Sequence, residues 1–121
     1  MSNSSVAIVI HDNFTDAEFI IAYYMLKAYG FDVKVYSLNG GAIRGVNGWL
    51  HKTQIANGQI TIPISGHGEV DILVLIGGVR SIEYLRQCKP LIEWIRQHNA
   101  QGKLIASICH AISLCIDADI L

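Results

Sequence analysis

Short apolar runs recur along the chain, separated by stretches in which the spacing of apolar residues changes. The clearest runs are Val6–Ile10, Ile72–Ile76 and Leu104–Ile108. Such short runs, rich in β-branched residues, are typical of strands buried on both faces of a parallel sheet. Apolar and polar residues alternate over Asp32–Ser37, which predicts a further strand.

Helical spacing is found between these runs. After the first strand, apolar residues recur every three or four positions up to Gly30, a glycine typical of a helix end. Further helices are predicted from about Ser81 to Gln87, from Pro90 to Gln101, and after Cys109. Strands that alternate with helices predict an α/β fold with a mainly parallel sheet and right-handed crossovers.

Residues 45–68 give a weaker signal. Glycines separate short pieces there, such as Trp49–Thr53 and Ile60–Ile64, which we interpret as small strands or loops. The length of 121 residues and the 51% hydrophobic content suit a single domain over residues 1–121. No strand or helix follows the last predicted helix to cover that side of the sheet, so we expect a domain truncated at its C-terminus and completed by a further fragment or a second copy.

The composition excludes several classes of partner. A formal net charge of -1 provides no basic surface for nucleic acid or membranes. The apolar runs are far shorter than the ~20 residues that a membrane-spanning helix needs. Met1–Ser5 has no features of a signal peptide. We therefore expect a cytoplasmic protein that acts on a small molecule.

The cysteines and histidines do not have the spacing of a metal site. The three cysteines, Cys88, Cys109 and Cys115, are odd in number and form no CxxC pair, which argues against a disulfide framework and a zinc knuckle. The histidines lack metal-ligand spacing, so we expect no metal and no cofactor. Cys88 is predicted to be a surface thiol and Cys115 a core thiol.

Cys109 is the strongest candidate for chemistry. It directly follows an apolar strand and opens a helix, the context of a nucleophile elbow, although the GxSxG pattern is absent. Free amides at a helix start favour a thiolate there. The alternative is an inert buried cysteine. His110 is either a base or charge partner for the thiolate or a solvated histidine at the start of the helix.

Two further features would lie at the same edge of the sheet. Thr15 and Glu18 have the spacing of a capping box, which alone explains both residues; the Glu18 carboxyl is alternatively a hydrogen-bond partner of Cys109. Gly77 and Gly78 end a strand, where backbone N–H groups can approach an oxyanion closely, but an ordinary turn would have the same sequence.

Several segments together resemble the PfpI/ThiJ family, within the class I glutamine amidotransferase-like fold. The resemblance runs along the whole chain and rests on FTDAEF, LKAYGFDVKVYS, GAIRGVNGW, DILVLIGG, EYLRQ and GKLIASICHA. It implies a flavodoxin-like three-layer sandwich with a nucleophile elbow after the last strand. Cys109 would be the nucleophile, His110 its partner and Glu18 the carboxyl that contacts the cysteine. Glu83 would reach a second subunit's site across a dimer interface.

The chain departs from the family pattern at two residues near the site. Ile76 stands where the family usually has proline, and Ala111 where it has glycine. We expect the backbone of Ala111 to join Gly77 and Gly78 around the oxyanion. Isolated charges such as Arg44 and Arg80 are interpreted as solvated surface.

The resemblance implies a cysteine-dependent hydrolase or lyase. Its chemistry would be that of an intracellular peptidase or amidase, or of a glyoxalase or deglycase acting on carbonyls, in a homo-oligomer. One alternative is a non-catalytic redox sensor or chaperone-like stress protein in which Cys109 is oxidised. A ligand-sensing domain of a transcription regulator is a more remote alternative, because the chain has no DNA-binding segment.

Overall fold

A computed structural model describes residues 4–47 and 62–121. Within these residues, five parallel strands form one sheet in the order β3-β2-β1-β4-β5. The strands are β1 (Ser5–Val9), β2 (Asp32–Ser37), β3 (Ile62–Pro63), β4 (Ile72–Leu75) and β5 (Leu104–Ser107). The helices are α1 (Asp16–Ala28), α2 (Val79–Leu85), α3 (Lys89–Ala100) and α4 (Ile112–Asp117). Ile64–Gly66 and Cys109–Ala111 form single 3-10 turns.

Strand β1 lies in the middle of the sheet and is covered on both faces. Its side chains alternate between two hydrophobic clusters, with Ile8 in the cluster that contains α1 and Ala7 and Val9 in the cluster formed with the other helices. Residues 6–10 are all 0% exposed. The predicted strand buried on both faces is therefore confirmed here.

The two hydrophobic clusters define three layers. On one face of the sheet, Phe19 and Tyr23 of α1 pack on the strands. On the other face, side chains of α2, α3 and α4 pack together, including Ile82, Leu91 and Leu114. The predicted α/β sandwich with a parallel sheet is confirmed.

Helix α1 ends where the sequence predicts. Gly30 has a φ of +91°, and its N–H donates to the carbonyl oxygen of Lys27 at 3.0 Å. The next amide, of Phe31, donates to the carbonyl oxygen of Leu26 at 3.1 Å. These two bonds form a Schellman motif, which satisfies carbonyls of the last helical turn and turns the chain toward β2.

Strand β5 differs from its prediction. Leu104 is 62% exposed, and residues 105–108 are only half-buried. β5 is the last strand in the described order and pairs with β4 alone, so fewer elements cover its apolar side chains. An apolar run therefore predicted the strand correctly but its full burial wrongly.

The weakly predicted region is described only in part. Ile62–Pro63 forms the short strand β3 beside β2, and Ile64 begins a 3-10 turn. The predicted piece Trp49–Thr53 lies outside the described residues. None of the helices in the described ranges is long and apolar enough to cross a membrane. The cytoplasmic location stays a prediction.

Candidate functional site

Three strand ends converge at one edge of the sheet. β1, β4 and β5 are neighbours and run parallel, so the residues that follow them lie at the same edge. These are His11 after β1, Gly77 after β4 and Cys109 after β5. In open α/β sheets, this carboxyl edge is where ligands bind.

Cys109 lies on a sharp turn between strand and helix. Ile108 is extended, with φ -111° and ψ 127°, whereas Cys109 has a φ of +56°. A non-glycine residue rarely adopts this left-handed conformation, and such strain is concentrated at functional sites. Cys109 is exposed to solvent. The geometry is therefore that of a nucleophile elbow, and Cys109 is not a buried cysteine.

The other two thiols are buried. Cys88, which was predicted to lie on the surface, is 8% exposed because it packs in the core just before α3, beside Leu85 and Leu91. Cys115 is 4% exposed, and burial raises the pKa of its thiol. Cys109 is thus the one cysteine of the three that a reagent in solution can reach.

Glu18 approaches the cysteine around Gly77. The Gly77 N–H donates to Glu18 Oε1 at 3.0 Å. A Cβ atom at residue 77 would lie 2.8 Å from Glu18 Oε1 and 3.3 Å from Cys109 Cβ. The Glu18 carboxylate and the Cys109 side chain therefore both border the space that Gly77 leaves open, but no hydrogen bond joins Glu18 to the Cys109 thiol.

The capping box predicted for Thr15 and Glu18 does not form. Thr15 occupies the N-cap position of α1, but its side chain makes no capping hydrogen bond. The Glu18 carboxylate binds the Gly77 amide instead of turning back to its own helix. A role in helix capping therefore does not explain Glu18.

The Gly77–Gly78 loop packs against the turn that precedes α1. The Thr15 N–H donates to the Gly77 carbonyl oxygen at 3.0 Å. Gly78 has a φ of +118°, and a Cβ atom there would lie 2.7 Å from the Asn13 carbonyl oxygen and 2.9 Å from Phe14 Cα. A side chain at either glycine would therefore clash with neighbouring atoms, and the Thr15–Gly77 hydrogen bond holds the loop beside Cys109.

The structure distinguishes the amides predicted to bind an oxyanion. The Gly77 N–H is used by Glu18, and the Ala111 N–H donates to the Ile108 carbonyl oxygen at 3.1 Å. Within residues 4–47 and 62–121, the amides of Gly78 and His110 donate no hydrogen bond. The His110 amide was missed from sequence, although an elbow commonly uses the N–H that follows its nucleophile.

Two predicted site residues are not brought to Cys109 by their side chains. The His110 ring is half-buried and has no hydrogen bond to any described residue, Cys109 included. Glu83 lies on α2 with 56% of its side chain exposed, and its carboxylate pairs with Arg86 at 3.5 Å. Their roles as partner of the thiolate and as a residue of a second subunit's site stay predictions.

His11 was not predicted as a site residue. Its ring lies 5.4 Å from that of Tyr84 on α2, and its Nδ1 atom is buried with no hydrogen-bond partner in the described part of the chain. Burial lowers the pKa of His11, so the ring is neutral at pH 7. The sequence feature that could have identified His11 as a site residue was its position directly after a strand predicted to be buried. Among the described residues, no cluster of His, Cys, Asp and Glu could hold a metal ion.

Several relatives of known name carry the name deglycase. A deglycase of Pyrococcus abyssi is 34% identical over 116 residues, which are 96% of this chain and 66% of that protein. Deglycase PfpI of Pyrococcus furiosus is 33% identical over 110 residues, 91% of this chain and 63% of its own length. The chain thus spans just under two thirds of these relatives.

Solved structures and a family comparison agree with the sequence relatives. A two-domain protein of Anabaena variabilis, with DJ-1/ThiJ/PfpI-like and ferritin-like domains, superposes with a TM-score of 0.83 at 27% identity, covering 98% of this chain and 33% of that one. Residues 4–121, which are nearly the whole chain, match the DJ-1/PfpI family. With the elbow at Cys109 and the Glu18–Gly77 contact beside it, the chain belongs to the DJ-1/PfpI family.

Proposed function

We propose that this chain carries a cysteine-dependent active site for glyoxalase or deglycase chemistry on reactive carbonyls. The observation that carries the proposal is an exposed Cys109 at a strained elbow, with the Glu18 carboxylate beside it. The names of the Pyrococcus relatives support deglycase chemistry over the peptidase or amidase alternative. Both reactions would begin with the same attack of sulfur on an electrophilic carbon.

The proposed first step is addition of the Cys109 sulfur to a carbonyl carbon. A C–S bond forms, and the carbonyl electron pair moves to oxygen. The resulting oxyanion needs donors that the folded chain does not already use. The Gly78 and His110 amides meet that requirement, whereas the Gly77 and Ala111 amides are occupied.

With a 2-oxoaldehyde, the following steps need no external oxidant. The hydrogen on the attacked carbon leaves as a proton to Glu18, and a proton is returned to the neighbouring ketone carbon, giving a thioester of a 2-hydroxy acid. Water then cleaves the thioester, releasing the acid and restoring the thiol. In an adduct of the oxoaldehyde, the carbon to be attacked carries a hydroxyl group and the amine or thiol. Once the adduct is bound, the C–N or C–S bond breaks, the amine or thiol takes the hydroxyl proton, and the aldehyde that Cys109 attacks is re-formed. Adduct and water thus give free amine or thiol and a 2-hydroxy acid.

The assay is to incubate the purified chain with the methylglyoxal adduct of a thiol and to measure free thiol and 2-hydroxy acid. We expect both products in equal amounts. A chain that produces neither, and whose Cys109 is converted selectively to sulfinic acid by mild peroxide, would favour the redox-sensor alternative. Such selectivity is supported by the exposure of Cys109, because Cys88 and Cys115 are both buried.

Substituting Glu18→Gln tests the proton carrier. Glutamine keeps an oxygen that can accept from the Gly77 amide but cannot take up the proton. We expect kcat to fall by about 10² to 10⁴, as for loss of a general acid-base group, with little change in stability. Stopped assays and thermal unfolding measure the two effects. An unchanged kcat would show that Glu18 only holds the loop.

We also propose that the chain acts as a homo-oligomer that associates through helix α1. Ile21 and Met25 of α1 and Tyr29, which directly follows it, are 64%, 49% and 75% exposed, which places large apolar side chains along one stripe. Such a stripe is typical of a surface covered by another copy. Sedimentation velocity that detects only monomer over a wide concentration range would contradict this proposal.

A further inference from the structure

A cleft lies beside the Gly77–Gly78 loop, between the turn after β1 and helix α2. Its volume is about 360 Å³. The lining residues are Asn13, Val79, Arg80, Glu83, Tyr84 and Gln87. The cleft begins next to Gly78. Asn13 lines the cleft, and its carbonyl oxygen is so close to Gly78 that a Cβ atom on this glycine would lie only 2.7 Å from it.

The arginines of the chain differ in how they are paired. Arg86 binds Asp117 at 2.8 Å and pairs with Glu83 at 3.5 Å. Arg96 pairs with Glu93 at 2.8 Å. All ten Asp and Glu residues of the chain lie within the described ranges, and none of them forms an ion pair with Arg80. No described carboxylate therefore occupies the donors of the guanidinium at the cleft, and they are available for a ligand.

The cleft contains one cation that no described carboxylate engages. Glu83 also lines it and shares Arg86 with Asp117, to which Arg86 is closer. His11, whose ring packs on Tyr84, is neutral. Arg80 is the one charged side chain of the cleft that forms no ion pair with a described residue. A guanidinium in this state suits a carboxylate, which it can bind through two parallel hydrogen bonds.

The cleft is close enough to Cys109 to hold one part of a substrate that reacts there. A Cβ atom at Gly77 would lie 3.3 Å from Cys109 Cβ, and Val79 of the cleft follows only two residues later. Since consecutive Cα atoms are about 3.8 Å apart, the cleft begins within roughly 10 Å of the cysteine. A molecule of the size of an amino acid can span this distance.

We propose that the cleft is a substrate subsite in which Arg80 binds a carboxylate. The preferred substrates are then carbonyl adducts that carry a free carboxylate, such as those on an amino acid or at a chain terminus, and neutral adducts are poorer substrates. This inference rests on the proposed function, because it names the substrate class of the same cysteine site.

Two substrates that differ only in the carboxylate test the proposal. They are the methylglyoxal adducts of N-acetylcysteine and of N-acetylcysteine amide. We expect a kcat/KM about tenfold higher for the acid, the lower end of what a hydrogen-bonded charge contributes, because Arg80 is exposed. Arg80→Gln should abolish the preference, and Arg80→Lys should retain part of it.

Arg44→Gln is the matched control. Arg44 is exposed and also forms no ion pair with a described residue, and its carbonyl oxygen accepts from the Asn13 amide, but it does not line the cleft. This variant should keep the preference for the acid. Equal kcat/KM values for acid and amide in the wild-type chain would overturn the proposal, as would an equal loss in the Arg44 and Arg80 variants.

Binding to a Cys109→Ala chain separates failure of the subsite from failure of the proposed function. The probes are N-acetyl-S-methylcysteine and its amide, which have no thiol to react. Calorimetry should show tighter binding of the acid, lost in the Arg80→Gln background. If the acid binds in this way but no adduct is turned over, the subsite is supported and the proposed chemistry fails. If adducts are turned over without preference and the two probes bind equally, the subsite fails alone.

Discussion

Replacing Cys109 with alanine is expected to lower kcat on the methylglyoxal adduct by roughly 10³-fold or more, the scale on which nucleophile removal acts in covalent catalysis. No other thiol of the chain is exposed, so no second cysteine can replace it. The side chain lies on the surface of the turn, and its removal should change the free energy of unfolding by less than about 1 kcal/mol. Initial rates and thermal unfolding give the two values.

Cys88→Ala is the control for loss of a thiol. Cys88 is buried in the core, so this variant should lose roughly 1 kcal/mol of stability but retain kcat. A Cys109→Ala chain with a kcat within tenfold of the wild-type value would contradict the covalent mechanism. If a folded Cys88→Ala chain lost turnover, the assignment of Cys109 as the nucleophile would be wrong.

Gly78→Ala is expected to destabilise the fold by about 3 kcal/mol, from backbone strain and overpacking together. Gly78 has a φ of +118°, and its new Cβ atom would lie 2.7 to 3.0 Å from main-chain atoms of residues 13–15. Main-chain atoms held by the Thr15–Gly77 hydrogen bond cannot rotate away as a side chain would. Denaturant unfolding measures the change, and the displaced loop should also lower kcat.

Gly102→Ala is the matched control for Gly78→Ala, because the added methyl group would meet no neighbouring atom. Its φ is +72°, and nothing lies within 4 Å of the new Cβ position. It should cost only about 1 kcal/mol, the strain of a left-handed alanine, and should leave kcat unchanged because it lies at the end of α3, away from the site. Equal losses of stability in the two variants would show that the contacts with residues 13–15 do not matter.

Local sequence signals predicted most of the architecture. β2 has the predicted bounds Asp32–Ser37, and Gly30 ends α1 as expected. Both depend on residues close in sequence: the alternation of side chains along a strand and the left-handed conformation that glycine adopts easily. Predicted boundaries elsewhere differ by one or two residues, as for α2, which begins at Val79.

The errors concern burial, which depends on distant parts of the chain. Leu104 and Cys88 were each assigned to the wrong environment, because exposure follows from the position of β5 in the sheet order and from the packing before α3. Glu18 had a complete local explanation in the capping box. Its real hydrogen-bond partner, Gly77, is 59 residues away in sequence.

The sequence by itself determined that strands alternate with helices and that Cys109 opens a helix after a strand, because these features follow from apolar spacing and from neighbours in the chain. Only the tertiary structure decided that Glu18 and Cys109 both lie beside Gly77, and which arginines form no ion pair with a described residue. Contacts of this kind depend on the order in which parallel strands assemble, since that order brings together residues far apart in the chain.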